Sequence, residues 1–426
     1  MPPAQPAAAA EGSSDSAPGG AAEAAGTEEA PAEEAARAGE PQRSSLSAKI
    51  DGHFGVVVGA MAGVLFKEIP LGGGRGAPFI VAWLFIGAVF LTLRLKFVNF
   101  TGFRHAIDVV RGKYDDPTDA GEVTHFQALA SALSATVGLG NIAGVALAVK
   151  MGGPGAVFWM LVAAFFGMTA KFAECTMGLK YRTIDAQGHV LGGPMRYLKD
   201  GLTKRGLGPL GGVLAVVFAV FCIGGSFGGG NMFQANQSYS AVNEAFVANV
   251  GVSVPRELFG LVMVAAVGVV IVGGFKRIAQ TAEKIVPLMC GMYVLASAFI
   301  VLTNLDGAVL TMRAFEQSIT WFPLVLTVSI VLFAYSTMIS WSYYGERCWT
   351  MFFGPKSSTA YRVVFLAFVY IGSVSTLTNV LDFSDLMILS MAFPNILGLY
   401  LLSGELAGDV RSYRARLASG EIAKRS

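Results

Sequence analysis

Ser131-Ala-Leu-Ser-Ala-Thr-Val-Gly-Leu-Gly-Asn-Ile-Ala-Gly144 is the stretch that decides the fold. It opens an apolar span running on to Val149, yet small and polar residues crowd its centre. In lipid every backbone N–H and C=O must be satisfied internally, so an apolar helix normally keeps glycine pairs out of its middle. Gly138-Leu139-Gly140-Asn141 therefore predicts a helix interrupted at mid-membrane. Such breaks persist where the freed backbone groups face a cavity and bind something. A Gly-rich helix packed closely against a neighbour is the competing reading.

Composition fits a membrane setting. Hydrophobic residues make up 54% of the chain, charged residues 14%, and the mean hydropathy is +0.57. Soluble domains carry about 25% charged residues. The net charge of +2 says nothing for nucleic acid, because the basic residues are scattered along loops with no basic stripe, and no nucleic-acid partner is expected. Cys175, Cys222, Cys290 and Cys348 lie in or beside apolar spans, without metal-site pairing or disulfide density, and read as reduced packing residues. Residues 1–47 hold eight acids against two arginines and no aromatic residue, a composition that predicts a disordered acidic tail.

Residues 54–76 contain a short apolar segment, Phe54–Phe66, below the roughly 20 residues a span needs, and read as interfacial or re-entrant. Nine spans follow, at 78–97, 126–149, 154–177, 210–228, 257–274, 285–303, 321–342, 362–380 and 385–403. Together they make 78–403 an all-α polytopic membrane domain. Every odd-numbered exit is basic: Arg104 and Arg111 after the first, Lys180 to Arg205 after the third, Lys276 and Arg277 after the fifth. Arg347 and Lys356 follow the seventh, and the tail at 404–426 carries Arg411, Arg414 and Arg416. Those sides, the C-terminus included, are expected in the cytoplasm, with the spans in the plasma (inner) membrane.

At the break, the first half-helix presents carbonyls and the second presents N–H groups, the negative and positive ends of two helix dipoles. Carbonyls around Ser134 and Val137, with the amide oxygen of Asn141, suit a cation; the N–H groups of Gly138, Leu139, Gly140 and Asn141 suit a carboxylate. The seventh span brings adjacent hydroxyls, Ser336 and Thr337, with Trp341 one turn beyond Thr337. Those hydroxyls could equally back-bond to their own helix. Asn231 and Gln234, after Gly228-Gly229-Gly230 at the outer end of the fourth span, could meet a substrate or bond between helices. Lys171 and Glu174, three apart in the third span, read as a structural pair, with a coupling-ion or proton relay as the sharper alternative. Neither a P-loop nor a catalytic set is present, and no cofactor is implied.

These motifs resemble the alanine/glycine:cation symporter family. The matching stretches include Gly138 to Ala146, Gly152 to Met160, Lys171 to Glu174, Gly192 to Tyr197, Phe333 to Thr337, Trp341 to Arg347 and Met391 to Asn395. The resemblance implies a LeuT-like fold of two inverted five-helix repeats and secondary symport of a small neutral amino acid, alanine or glycine, with sodium as coupling ion. It implies that the 138–141 break takes the substrate carboxylate, that Ser336 and Thr337 ligate sodium, and that Trp341 and Gln234 line the pocket. Leu139 stands where many members have threonine, so any hydroxyl contact there is lost. A larger departure follows: the family's second broken helix, with its Ser-Asn-Glu-Ala-Gly signature, is missing, and the sixth span leads through Asp306–Thr320 straight into the family's Phe-Ala-x-Ser-Thr span. Two spans with linkers need at least about 50 residues. The second repeat is thus expected to be incomplete. The chain is then an internally truncated symporter, or a transport-incompetent binding or assembly partner. Oligomeric state leaves no trace in the sequence.

Overall fold

The structure, a computed structural model, describes residues 63, 66–72, 75–114, 121–184, 190–303, 322–375 and 377–422. The acidic tail at 1–47, nearly all of Phe54–Phe66 and the 304–320 connection lie outside the described residues. Just before the first long helix, strands β1 (Glu68–Gly72) and β2 (Arg75–Pro78) pair antiparallel, with Glu68 opposite Pro78.

Each predicted span falls on a helix, but not all nine meet the dimensions of a span. Helices α1 (Phe79–Arg94) and α7 (Arg256–Ile271) have 16 residues each, roughly 24 Å at 1.5 Å per residue, short of a hydrocarbon core of about 30 Å. Among the described residues six helices are long and apolar enough to cross a membrane, seven if one bent pair counts as a single span.

That bent pair is α2 (His125–Thr136) and α3 (Ala143–Gly152). A capping box starts α2: Gln127 N–H donates to Thr124 Oγ1 at 3.2 Å, and Thr124 N–H donates to Gln127 Oε1 at 3.2 Å. Val137 then leaves the helix at φ −94°, ψ 89°, and Gly138 continues extended. A single 3-10 turn, Leu139–Asn141, leads into α3, and the two halves meet at 67°. Pro154 at the first position of α4 (Pro154–Lys180) separates it from α3, since proline suits a helix start and cannot continue one.

The fourth span does not end near residue 228 as its glycines suggested. Helix α5 (Gly208–Phe227) passes through a π-helical turn, Gly228–Met232, into α6 (Phe233–Val250), giving one run of 43 residues. Buried packing on both sides overrides the low propensity of three consecutive glycines, as tertiary context commonly does. Beyond α7 come α8 (Gly274–Thr303), α9 (Phe322–Phe353), α10 (Ser358–Val374) and α11 (Leu377–Ala418). The last extends well past residue 403, so most of the basic tail is helical.

Two apolar clusters hold these helices. Leu139, Phe227, Tyr239, Phe333, Met338, Tyr361 and Phe365 join the break to α5, α6, α9 and α10. Leu91, Met177, Phe218, Leu399 and Leu402 join α1, α4, α5 and α11. The break is therefore anchored on one side by Leu139, only 2% exposed, rather than suspended in a loop.

Candidate functional site

A cavity of about 1040 Å³ opens beside the break, lined by Gly138, Gly140, Asn141, Gln234, Thr337 and Trp341 among others. It brings together most of the residues singled out from sequence, from four separate helical segments.

The end of α2 is held by α9. Thr337 Oγ1 lies 3.1 Å from the Ser134 carbonyl oxygen and 2.7 Å from that of Phe333. Ser340 Oγ donates to Ser134 Oγ at 2.8 Å, and Ser134 Oγ donates to the Ser336 carbonyl at 2.6 Å. Trp341 Nε1 donates to the Ala135 carbonyl at 2.9 Å. The α2 dipole's negative end therefore meets a cluster of hydroxyl and carbonyl oxygens inside buried surroundings, with Ser134, Ser336, Thr337 and Ser340 all nearly inaccessible. One hydroxyl proton on Thr337 cannot satisfy two carbonyls at once, and hard oxygens in excess of donors suit a monovalent cation.

Ser336 departs from its expected place. Its hydroxyl turns to Phe333 O (3.1 Å) and Met289 Sδ (3.3 Å), away from the cavity. Adjacent helical residues point about 100° apart, so Ser336 and Thr337 cannot share a face. Ser340, three residues beyond Thr337 on the same helical face, carries the second hydroxyl instead.

On the α3 side the N–H groups are not bare. Gly138 N–H donates to Asn141 Oδ1 at 3.0 Å, and Leu139 N–H to Gln234 Oε1 at 3.3 Å. Asn141 N–H closes the 3-10 turn on the Gly138 carbonyl at 3.1 Å. The Asn141 amide oxygen thus caps a backbone donor here, where a cation contact was expected. A carboxylate arriving at this turn would replace side-chain amide oxygens, an exchange of like acceptors that leaves no donor orphaned. Gln234 is fixed for this by its own Nε2, which donates to the Gly229 carbonyl at 2.9 Å.

Asn231 does not reach the cavity. It is fully buried and its Nδ2 donates to the Phe365 carbonyl of α10 at 2.8 Å. The π-helical turn is the reason. A wider turn changes the angle between residues three apart, so Asn231 and Gln234 diverge. Gly230 permits the same turn to pass α9: a Cβ there would sit 2.4 Å from Trp341 Cγ. At Gly138 a Cβ would sit 2.9 Å from Thr337 Oγ1.

Lys171 and Glu174 form an ion pair of 3.2 Å, and both line the cavity. Among the described residues no cluster of three or more His, Cys, Asp or Glu could hold a metal ion. All four cysteines are free thiols, with Cys222 and Cys348 buried and Cys175 exposed.

A polytopic helical protein whose central cavity is built on a broken helix belongs to the class of membrane transporters that bind solutes at mid-depth. Sequence comparison narrows the class. The sodium:alanine symporter family matches residues 73–306 and 303–425, and the chain belongs to that family. It is 32% identical to the sodium/alanine symporter AgcS of Methanococcus maripaludis, over 79% of this chain and 94% of the relative. It is 28% identical to the amino-acid carrier protein AlsT of Bacillus subtilis, over 80% of this chain and 91% of that protein. A probable sodium/glutamine symporter, GlnT of Bacillus subtilis, is 34% identical over 53% of this chain and 44% of its own length. These relatives are transporters, not enzymes. The AgcS alignment runs over 435 positions, more than the 426 residues of the whole chain, although it uses only 79% of them. This chain is therefore gapped internally against its relative, and the two family matches meet at 303–306.

Proposed function

We propose that the cavity binds a small neutral amino acid, alanine or glycine, together with sodium, and that the protein descends from a symporter working by alternating access in a LeuT-like fold. One observation carries this: the negative end of a broken helix meets a buried hydroxyl cluster on α9, while its extended turn faces an open cavity. Sodium would sit among the Ser134 and Val137 carbonyls and the Thr337 hydroxyl, with Ser340 in support. The substrate carboxylate would approach Gly138 to Asn141, with Gln234 and Trp341 bounding the pocket. In this reading the basic ends of the helices and the C-terminus lie in the cytoplasm and the spans in the plasma membrane.

The chain itself is read as internally shortened at 303–306, with two spans of the second repeat lost. Alternating access needs two repeats moving about a central site. The 426-residue chain is thus expected to bind alanine but not to concentrate it. Reconstitution into vesicles with a sodium gradient tests both halves. Sodium-dependent alanine binding without accumulation is expected, and a version with the two spans restored should accumulate alanine. Binding at the break, read as the part that Gly138→Val removes, would refute the site assignment if it persisted undiminished without sodium or took leucine as well as alanine. Accumulation by the shortened chain would refute the loss of transport.

A further inference from the structure

One face of α4 forms a wall of the same cavity: Lys171, Glu174, Cys175 and Gly178 recur at the three- and four-residue spacing of a single helical stripe, and Arg182, just past the helix end, also lines it. The Lys171–Glu174 pair lies on this wall, not at the break, and it is accessible, with side chains 51% and 25% exposed. Its geometry leaves capacity on both partners. Lys171 Nζ has three donors and spends one on Glu174 Oε2; the Glu174 carboxylate keeps a second oxygen.

We propose that this ion pair is a second, weaker site for the zwitterionic head of a free α-amino acid, separate from the site at the helix break. Lying antiparallel beside the pair, the zwitterion places its carboxylate on Lys171 and its ammonium on Glu174, closing a ring of four alternating charges without parting the protein's own pair. Net charge stays zero, so entry into the cavity carries no uncompensated charge. A ligand carrying only one of the two charges completes half the ring and leaves one end opposed by nothing. The inference rests on the amino acid reading of the cavity, and it adds a station on the route between the break and the Arg182 end.

Cys175 provides the test, being exposed, on the same wall, and one turn from Lys171. The purified full chain is alkylated with N-ethylmaleimide and modification of Cys175 is followed by site-resolved mass spectrometry. Alanine at millimolar concentration, in sodium-free buffer, should slow Cys175 alkylation by roughly two- to fivefold, the scale of an accessible charge-pair contact. N-acetylalanine and alanine methyl ester, which each keep one charge, should not. Lys171→Gln combined with Glu174→Gln should abolish protection. The exchanged pair, Lys171→Glu with Glu174→Lys, should retain it, because the zwitterion can reverse, and this second variant guards against a misfolded first. Thr337→Val, aimed at the break, should leave protection intact while removing sodium-dependent alanine binding. No protection in the parent chain, equal protection by the singly charged analogues, or loss of protection with Thr337→Val would overturn the second site. Absence of sodium-dependent binding alongside persistent Cys175 protection would instead overturn the central site alone.

Discussion

At the break, single atoms decide between a bound and an empty site. A side chain at Gly138 meets Thr337 Oγ1 at 2.9 Å before any branch is added. Gly138→Val should therefore weaken alanine binding by roughly ten- to a hundredfold, the effect of overpacking by one to three kcal/mol, while the chain still inserts. Equilibrium binding of labelled alanine checks this, and an unchanged affinity would mean the glycine serves packing alone. Thr337→Val keeps the shape and removes the hydroxyl between the Ser134 and Phe333 carbonyls. Its expected signature is a loss of sodium dependence, read from a sodium titration of alanine binding. Gln234→Ala leaves Leu139 N–H without its partner, which costs about 1–3 kcal/mol when buried. Added carboxylate can supply the missing acceptor, so the variant should be more strongly stabilised by alanine against heat than the parent chain.

At the scale of elements, the π-helical turn of Gly228–Met232 is the feature that lets a 43-residue helix run beside α9. Gly230 faces the Trp341 ring with no room for a methyl group, and that ring's N–H in turn donates to the Ala135 carbonyl near the end of α2. Gly230→Ala should push Trp341 off the Ala135 carbonyl and destabilise the fold by about 1–3 kcal/mol. A fall in thermal unfolding temperature in detergent, together with altered tryptophan fluorescence, is the expected pair of readouts. If the turn relaxed to a regular α-helix instead, stability would rise and Gln234 would lose its place at the cavity. The break and the π-turn are thus tied together: Leu139 N–H donates to Gln234, whose own amide is held on the Gly229 carbonyl.

For the whole molecule, helices in contact with few neighbours matter most. The 18-residue windows of α4 and α8 are only 11% and 17% buried, against 50% for the α5–α6 run. Within a bilayer those faces meet lipid, which stabilises apolar side chains without specific packing. In detergent the 426-residue chain should be markedly less stable than a version with two further spans. A thermal-stability comparison of the two forms checks this. Equal stability would indicate that the added spans pack against little.

Hydropathy along the chain is enough to locate nine apolar stretches, since twenty apolar residues in a row have few alternatives to crossing or lining a membrane. Local backbone chemistry is legible in part: Gly138 and Gly140 astride Leu139, with polar Asn141 behind them, favour a break over a close-packed helix, and the break is there, whereas Gly228-Gly229-Gly230 stays helical. The family is legible too, in runs such as Lys171 to Glu174 and Trp341 to Arg347. What periodicity could not supply was the phase of each helix at the cavity. Adjacent hydroxyls suggested Ser336 beside Thr337, but a 100° step sends one of them to Met289. Asn231 and Gln234 looked like neighbours until a π-turn of glycines changed the angle between them. The backbone N–H groups at the break looked free because the caps that satisfy them, Asn141 and Gln234, include one from 95 residues away. Local pattern is set by covalent neighbours and so can be read in one dimension; the direction of a side chain and the partner of a freed donor depend on contacts across the fold, and only the packed helices decide them.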